Sequence, residues 1–259
     1  MRIESAKNSS VKETAALGRD AKLRRRTGLF VAEGIKMVSE APRDRVVNIY
    51  AGDSFLASGG DALLGDAVYT EVSDRAFEAM SNTKTPQGVL AVVRQEHYEE
   101  KDMLAGVPFL LCLEDIRDPG NLGTMLRAGE AAGITGVIAG RGTADFYNPK
   151  TVRSTMGSIY RVPHMYTDNI VETIDGLVRA GVMVYAAALE GSVPYDSVDY
   201  GGACAFLIGN EANGLSAAAV RAACGRVKIP MHGKVESLNA AAAACVLMFE
   251  AARQRRQTY

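Results

Sequence analysis

The sequence predicts an α/β protein in two parts, the second of them built on a parallel sheet. At 259 residues the chain is long enough for one large or two ordinary domains. After residue 105, short continuous apolar runs alternate with helix-like segments, and a polar stretch near 95–107 separates this half from a smaller first part. Continuous apolar strands alternating with helices are typical of a doubly wound domain covered on both faces. We therefore predict domains at 1–100 and 105–259.

In the second part, five strands and five helices are predicted. The strands are Phe109–Leu113, Gly136–Ala139, Val182–Leu189, Ala205–Ile208 and Val227–Ile229. The helices are Leu122–Ala132, Lys150–Ile159, Ile170–Ala180, Ser216–Cys224 and Leu238–Arg253. Ligands of such sheets bind in loops at the carboxyl ends of the strands, so those loops are the candidate site.

The first part is predicted to be a small α/β unit. The predicted helices are Ser9–Leu17 and Asp74–Met80, with Ser73 as the N-cap of the second. The predicted strands are Leu29–Val31, Val46–Ala51 and Gly88–Val93.

Composition excludes several classes of protein. The four cysteines form no CxxC pair and no cluster with histidine, which argues against a disulfide scaffold or a zinc ribbon and favours the reducing cytoplasm. The N-terminal residues carry no apolar run that would indicate a secretory signal. The longest uncharged apolar stretch, 237–249, is too short to cross a bilayer.

Charge is distributed unevenly along a chain whose net charge is only −1. Residues 1–36 hold nine Lys and Arg against four Asp and Glu, whereas residues 37–100 hold five against eleven. The basic part contains Lys22, Arg24, Arg25 and Arg26. Such a run is either a solvated helix face or a surface that contacts RNA phosphates.

Three loops concentrate the unusual residues of the second part. The first, 114–127, contains a turn at Asp118–Asn121, where Asn121 can cap the following helix. Arg127 lies less than two turns further on, where its guanidinium either binds a phosphate or pairs with a neighbouring acid. The second loop, 208–216, has Gly209 directly after a strand, which suits a ligand close to the backbone or a tight turn.

The third loop, 229–239, precedes the last helix, and Ser237 is its predicted N-cap. That helix is rich in alanine and apolar nearly all round, so it is predicted either to lie deep in one subunit or to pack against a second copy. The sequence has no GxGxxG, GxxxxGK[ST], HExxH or GxSxG motif, and its three histidines share no metal-ligand spacing, so no metal is predicted.

Together the three loops resemble motifs 1, 2 and 3 of the SpoU/TrmH family of S-adenosylmethionine-dependent RNA ribose methyltransferases. Motif 1, N-x-G-x-x-x-R, corresponds to 121–127, motif 2 to the GNEANGL of 209–215, and motif 3 to the IPMHGKVESLN of 229–239. Residues 148–158 are similar to the stretch between motifs 1 and 2. Around 30–34 and 85–91 the first part resembles the substrate-binding domain often fused in front of such enzymes.

The resemblance implies a parallel-sheet domain whose C-terminal loops form a deep trefoil knot, preceded by a small ribosomal-protein-like α/β domain that binds RNA. It also implies a homodimer and S-adenosylmethionine as methyl donor. The implied catalytic residues are Asn121, Arg127, Glu211, Ser237 and Asn239. The implied donor contacts are Leu189, Gly209, Ile229, Met231 and Leu238, of which no motif fixes Leu189.

The expected activity is 2′-O-methylation of a structured RNA, preferably ribosomal RNA. A transfer RNA substrate stays an alternative, as does a non-catalytic RNA-binding factor for ribosome assembly on the same fold. The expected RNA-facing residues are Lys22, Arg24, Arg25 and Arg26.

Overall fold

The structure is a computed structural model that describes residues 2–235 and 237–256. Its first elements, in chain order, are β1 (Arg2–Ile3), α1 (Ser9–Arg19), α2 (Ala21–Thr27), β2 (Leu29–Glu33), α3 (Ile35–Ser39), β3 (Val46–Gly52), α4 (Asp53–Ala57), β4 (Thr70–Val72), α5 (Asp74–Met80) and β5 (Val89–Arg94). The order β1-β4-β3-β5-β2 forms a mixed sheet, in which β5 is antiparallel to both of its neighbours.

The second group of elements forms a fully parallel sheet with its helices. They are α6 (Glu100–Met103), β6 (Phe109–Leu113), α7 (Pro119–Ala132), β7 (Gly136–Gly140), α8 (Pro149–Thr155), β8 (His164–Thr167), α9 (Ile170–Arg179), β9 (Met183–Ala187), β10 (Val193–Pro194), β11 (Cys204–Ile208), α10 (Ala217–Ala222), β12 (Gly225–Lys228) and α11 (Ala240–Arg256). The sheet order is β10-β12-β9-β11-β6-β7-β8, and every pairing is parallel.

The predicted α/β class and the parallel sheet are therefore confirmed. Every residue of β6, β7 and β11 is buried, which is why these strands appear in the sequence as uninterrupted apolar runs. The short edge strands β8 and β10 carry polar or exposed residues and gave no such signal. The trefoil threading that the family resemblance implies stays a prediction.

The chain divides into two compact units, each of which is formed by two separate segments of the sequence. Unit 1 comprises residues 2–96 together with 145–160, and unit 2 comprises 97–144 and 161–256. Helix α8 thus packs with unit 1, although its residues lie inside the predicted second domain. The chain passes from one unit to the other three times.

Two helices begin at caps other than those predicted. Asp118, not Asn121, caps α7, because its carboxylate accepts the Asn121 amide at 2.9 Å and Pro119 occupies the first helical position without needing a partner. Asn239, not Ser237, caps α11, since its Oδ1 accepts the amides of the second and third helical residues at 2.9 and 3.2 Å. Both predicted caps were wrong by two or three residues.

Arg24 is an internal anchor of unit 1. Only 2% of the residue is exposed. Its Nε and Nη2 donate to Asp145 at 2.9 and 2.6 Å, and its Nη1 donates to the carbonyls of Leu17 and Gly18 at the end of α1. Because these partners occupy the guanidinium, the prediction that Arg24 faces RNA is wrong. Its neighbours Lys22, Arg25 and Arg26 are exposed, as an RNA-facing surface requires.

Arg255 anchors the end of α11 in unit 2. Its guanidinium donates to the carbonyls of Tyr200, Pro108 and Gly202 at 2.6 to 3.2 Å and lies 4.5 Å from the ring centre of Phe109. These contacts fix the C-terminal end of α11, the helix that begins directly after motif 3.

In residues 2–235 and 237–256, no helix has the length and apolar character needed to cross a membrane.

We predict that Arg24→Ala lowers the free energy of unfolding by about 3–5 kcal/mol, since it leaves a largely buried carboxylate and two α1 carbonyls without their donor. Arg25→Ala is the matched control, because Arg25 is exposed and the expected change is within about 0.5 kcal/mol. Urea unfolding followed by circular dichroism measures both. Equal effects of the two substitutions would show that Arg24 is not an anchor.

Candidate active site

The motif loops of unit 2 meet at one edge of the parallel sheet. They follow β6, β11 and β12, and the turn at Leu189 follows β9. These four strands are consecutive in the sheet order β12-β9-β11-β6. Since the strands are parallel, their carboxyl ends lie on the same side, where ligands of such sheets bind.

Asn121 joins all three motifs through its side-chain amide. Its Nδ2 donates to the carboxylate of Glu211 in the second loop. Its Oδ1 accepts a hydrogen bond from Nδ2 of Asn239 at 3.1 Å. Three of the five predicted catalytic residues therefore form one hydrogen-bonded cluster, which we call the Asn121 cluster.

The amides of the Asn121 cluster are oriented by the starts of two helices. Asn239 uses its Oδ1 to cap α11, which directs its Nδ2 toward Asn121. Asn121 lies in the first turn of α7, where Asp118 accepts its backbone amide. The side chain of Asn239 is thus fixed by backbone amides, and the backbone of Asn121 by a carboxylate, before any ligand binds.

The second loop is closed on itself by Asn210. The backbones of Asn210 and Gly214 exchange two hydrogen bonds, at 3.2 and 2.8 Å. The side chain of Asn210 accepts the amide of Ala212 and donates to the carbonyl of Asp115 in the first loop. A Cβ at Gly209 would lie 2.5 Å from the carbonyl group of Gly214, so the loop itself requires glycine there.

Glu114 makes a second link between the first two loops. Its carboxylate accepts the backbone amide of Ser216 at 2.7 Å, and its own amide donates to the carbonyl of Ile208.

Beneath this edge, burial raises the pKa of the Cys112 thiol on β6 to about 12. That thiol stays protonated and is no nucleophile at neutral pH.

A cavity of about 800 Å³ opens beside the Asn121 cluster. It is lined by the loops after β9, β11 and β12 and by the first turns of α11. All five residues predicted to contact the methyl donor line it, namely Leu189, Gly209, Ile229, Met231 and Leu238. Glu211 and Ser237 line it as well, so the cavity and the Asn121 cluster share a residue.

The cavity also contains residues that sequence reasoning missed. Arg221, Arg226 and Lys228 line it, and Arg226 donates to the carbonyl of Glu190 in the turn after β9. Ala243 and Leu247 contribute the apolar side formed by α11. Together with Ala240 they are spaced three and four residues apart, which indicates one helix face, but no motif marked that face as part of a site.

Arg127 does not join the cluster within one chain. It is exposed on α7, does not line the cavity, and forms no hydrogen bond or ion pair with any described residue. The alternative of a pairing with Glu130 or Asp118 is not observed either, because Arg161 pairs with Glu130 and Asp118 caps α7. The described part of the chain holds no cluster of three or more acidic, histidine or cysteine side chains suited to a metal.

Comparison with known families agrees with this arrangement. The SpoU rRNA Methylase family matches residues 108–249, and the MRM3-like substrate binding domain matches residues 8–91. Among characterised proteins, the chain is 38% identical over 249 residues to the 23S rRNA (guanosine(2553)-2′-O)-methyltransferase RlmP of Bacillus subtilis, covering 95% of this chain and 97% of that protein.

Solved structures are similar over nearly the whole chain. An rRNA methyltransferase from Sinorhizobium meliloti superposes with a TM-score of 0.85 at 32% identity, covering 98% of this chain and 97% of that one. The SpoU methyltransferase AviRb from Streptomyces viridochromogenes, in complex with AdoMet, superposes with a TM-score of 0.86 at 27% identity, covering 96% and 99%.

We predict that Gly209→Ala lowers the free energy of unfolding by about 1–3 kcal/mol, because the added methyl overlaps the backbone of the second loop. Gly202→Ala is the control, since a Cβ at Gly202 meets no atom within 4 Å. Thermal unfolding of the two variants beside the unsubstituted protein measures the difference. A Gly209→Ala protein as stable as Gly202→Ala would contradict the backbone requirement.

Proposed function

Because the chain belongs to the SpoU rRNA Methylase family, we propose that it methylates the ribose 2′-hydroxyl of a guanosine in 23S ribosomal RNA. It is an S-adenosylmethionine-dependent RNA 2′-O-methyltransferase. The guanosine and the large-subunit RNA follow the activity for which the B. subtilis relative is named. The observation that carries the proposal is the Asn121 cluster, which joins the three motifs at the edge of the cavity.

The cavity fits S-adenosylmethionine in size and in chemistry. About 800 Å³ lies within the range of small-molecule sites. Its apolar lining of Ile208, Val227 and Leu247 suits an adenine ring, and the tight loop at Gly209 brings backbone groups to the cavity wall. We propose that Leu189, Gly209, Ile229, Met231 and Leu238 hold the donor.

S-adenosylmethionine supplies an electrophilic methyl group bound to a positively charged sulfur. The chain must then align the ribose oxygen with that methyl group, so that the new O–C bond forms as the S–C bond breaks and S-adenosylhomocysteine leaves. The hydroxyl proton passes to a phosphate oxygen of the RNA or to water. Alignment contributes up to about 7–11 kcal/mol in favourable cases. We propose that Glu211, Asn239 and Asn121 orient the ribose, with Ser237 beside them on the cavity wall.

Arg127 is proposed to bind the phosphate of the target nucleotide and to stabilise the alkoxide that develops on the ribose. A guanidinium with a pKa above about 12 is a poor base at neutral pH, so electrostatic stabilisation is the better role. Its exposure and its lack of an internal partner leave all of its donors available to an anion.

Unit 1 is proposed to bind the RNA. Lys22, Arg25 and Arg26 project from α2 into solvent, and none forms an ion pair with a described residue. Their arrangement on one short helix suits contacts to successive phosphates. Because ribosomal RNA is the proposed substrate, we also propose that the protein acts in the cytoplasm.

A homodimer is supported by one exposed apolar face in unit 2. Helix α11 buries Ala244, Leu247 and Met248 but leaves Phe249 47% exposed, with Cys245 and Val246 half-buried beside it. The same helix packs against α7, whose solvent face carries Arg127. We propose that a second copy covers this face, as the alanine-rich sequence of α11 suggests.

The function is tested by offering labelled S-adenosylmethionine with unmodified ribosomal RNA or transfer RNA and identifying the labelled nucleoside by mass. The proposal expects 2′-O-methylguanosine from the 23S RNA. Label in transfer RNA alone would favour the alternative substrate. Absence of both label and donor binding would support a non-catalytic RNA-binding factor.

In that assay we expect Arg127→Ala to lower kcat by about 10²–10³-fold, because one charged donor to the developing alkoxide is lost. Arg127→Lys keeps the charge and should retain part of the rate. Arg179→Ala, another exposed arginine of unit 2, is the control and should match the unsubstituted enzyme. Equal and complete loss in both Arg127 variants, with RNA binding intact, would contradict this role.

For the dimer, we expect Phe249→Asp to convert the protein to a monomer, because a carboxylate would be buried in the proposed interface without a partner. Val178→Asp, at an exposed apolar position on α9, should stay dimeric. Sedimentation velocity distinguishes the two states. A monomeric unsubstituted protein would refute the dimer directly.

A further inference from the structure

A second feature of unit 1 is a set of exposed, unpaired cations on the two consecutive helices α1 and α2. Lys12 and Arg19 are exposed on α1, and neither forms a hydrogen bond or ion pair through its side chain with a described residue. In the same unit, Arg2, Lys36 and Arg45 pair with acids, whereas Arg75 on α5 is unpaired but lies outside any groove shared with Lys12 and Arg19. Cations that lack internal partners are available to an external anion.

Lys12 and Arg19 flank a groove of about 560 Å³. The methyl groups of Ala15, Ala16 and Ala79 form part of its lining, so its surface between the two cations is apolar. Asp20 also borders the groove, but its Oδ1 accepts the amides of Lys22 and Leu23 at the start of α2. The hydrogen bonds to these amides, with Leu23 the larger cause, lower the pKa of Asp20 and keep its carboxylate engaged with the helix.

A polar loop held in one conformation lies beside this groove. The carboxylate of Glu33 accepts the hydroxyls of Ser81 and Thr83 at 2.5 and 2.7 Å and the amide of Asn82 at 3.0 Å. The side chain of Asn82 lies against α1, where a Cβ at Gly18 would be 2.2 Å from its Nδ2. This loop follows α5, whose Ala79 lines the groove, and Asn82 packs against the end of α1.

We propose that this groove binds an unpaired nucleotide of the RNA substrate, with its phosphates on Lys12 and Arg19 and its base against the alanine methyl groups. The base presents a flat apolar face to Ala15 and Ala16, and the planar guanidinium of Arg19 can stack on it. The proposal rests on the proposed function, because it extends RNA binding by unit 1 to a defined nucleotide site.

Charge and shape favour single-stranded RNA over the other occupants of a small groove. A neutral peptide or an apolar metabolite gains nothing from two unpaired cations, whereas a nucleotide uses both the cations and the apolar surface between them. Helix α2, which follows α1 in the chain, carries three more exposed cations, Lys22, Arg25 and Arg26. Five unpaired cations on two consecutive helices suit a polyanion better than a single small anion.

The charge part is tested with a Lys12→Glu, Arg19→Glu double variant and the 23S RNA fragment that the enzyme methylates. We expect the KM for RNA to rise at least about tenfold and the salt dependence of log K to lose about 1.4, at about 0.7 per contact for a single strand. The affinity for S-adenosylmethionine should not change. Arg75→Glu, an exposed unpaired arginine on α5 outside the groove, is the matched control and should change the KM far less.

The groove itself is tested with Ala16→Leu, which fills the apolar surface without changing any charge. We expect weaker RNA binding at an unchanged salt slope and an unchanged Tm, because the added side chain points into open space. Ultraviolet cross-linking to RNA that carries 4-thiouridine should label peptides spanning residues 12–19 and 79–83 in the unsubstituted enzyme, and Ala16→Leu should reduce that labelling.

The outcomes separate this inference from the proposed function. If the unsubstituted enzyme methylates RNA but both groove variants behave like Arg75→Glu, the nucleotide site is refuted and the methyltransferase assignment stands. If no RNA is methylated although the groove still cross-links to 23S RNA, the proposed reaction fails and the binding site stands. Cross-links confined to α2 would also refute the groove as the nucleotide site.

Discussion

The candidate site depends on one side chain, the amide of Asn121, which bonds to Glu211 on one side and to Asn239 on the other. An amide has a donor end and an acceptor end, so it can bridge a carboxylate and a second amide in a fixed order. Each of its neighbours is also tied to a loop or a helix start. The parallel sheet brings the loops to one edge, and this chain of hydrogen bonds sets their distances.

In unit 1, one cation of a basic run is buried and stabilises the fold, whereas the others are exposed to solvent. Four cations lie within five residues, yet Arg24 alone turns inward, toward Asp145 and the end of α1. Its burial fixes α2, and the outward direction of Lys22, Arg25 and Arg26 follows from that fixed helix. One buried arginine thus orients three exposed cations, a division that composition cannot reveal.

The sequence predicted the parts of the fold that depend on local pattern. Buried strands such as Phe109–Leu113 and Cys204–Ile208 produce apolar runs, and the motif loops follow from them. Prediction from the sequence failed where the outcome depends on three-dimensional contacts rather than on local pattern. Asp118 and Asn239 were chosen as caps by geometry rather than by residue type, since Asn121 and Ser237 are equally good capping residues. The direction of Arg24 depended on a partner 121 residues away, and the cations of the cavity belonged to no motif.

The contribution of residues 145–160 to unit 1 sets an order of events during protein synthesis. Unit 1 is complete only after residue 160 has left the ribosome, although its sheet ends at Arg94. By then β6, α7 and β7, which belong to unit 2, have already emerged. Domains generally fold from the N-terminus as they are made. In this chain unit 1 cannot complete its contacts first, because Arg24 still lacks Asp145 when the beginning of unit 2 is already outside the ribosome.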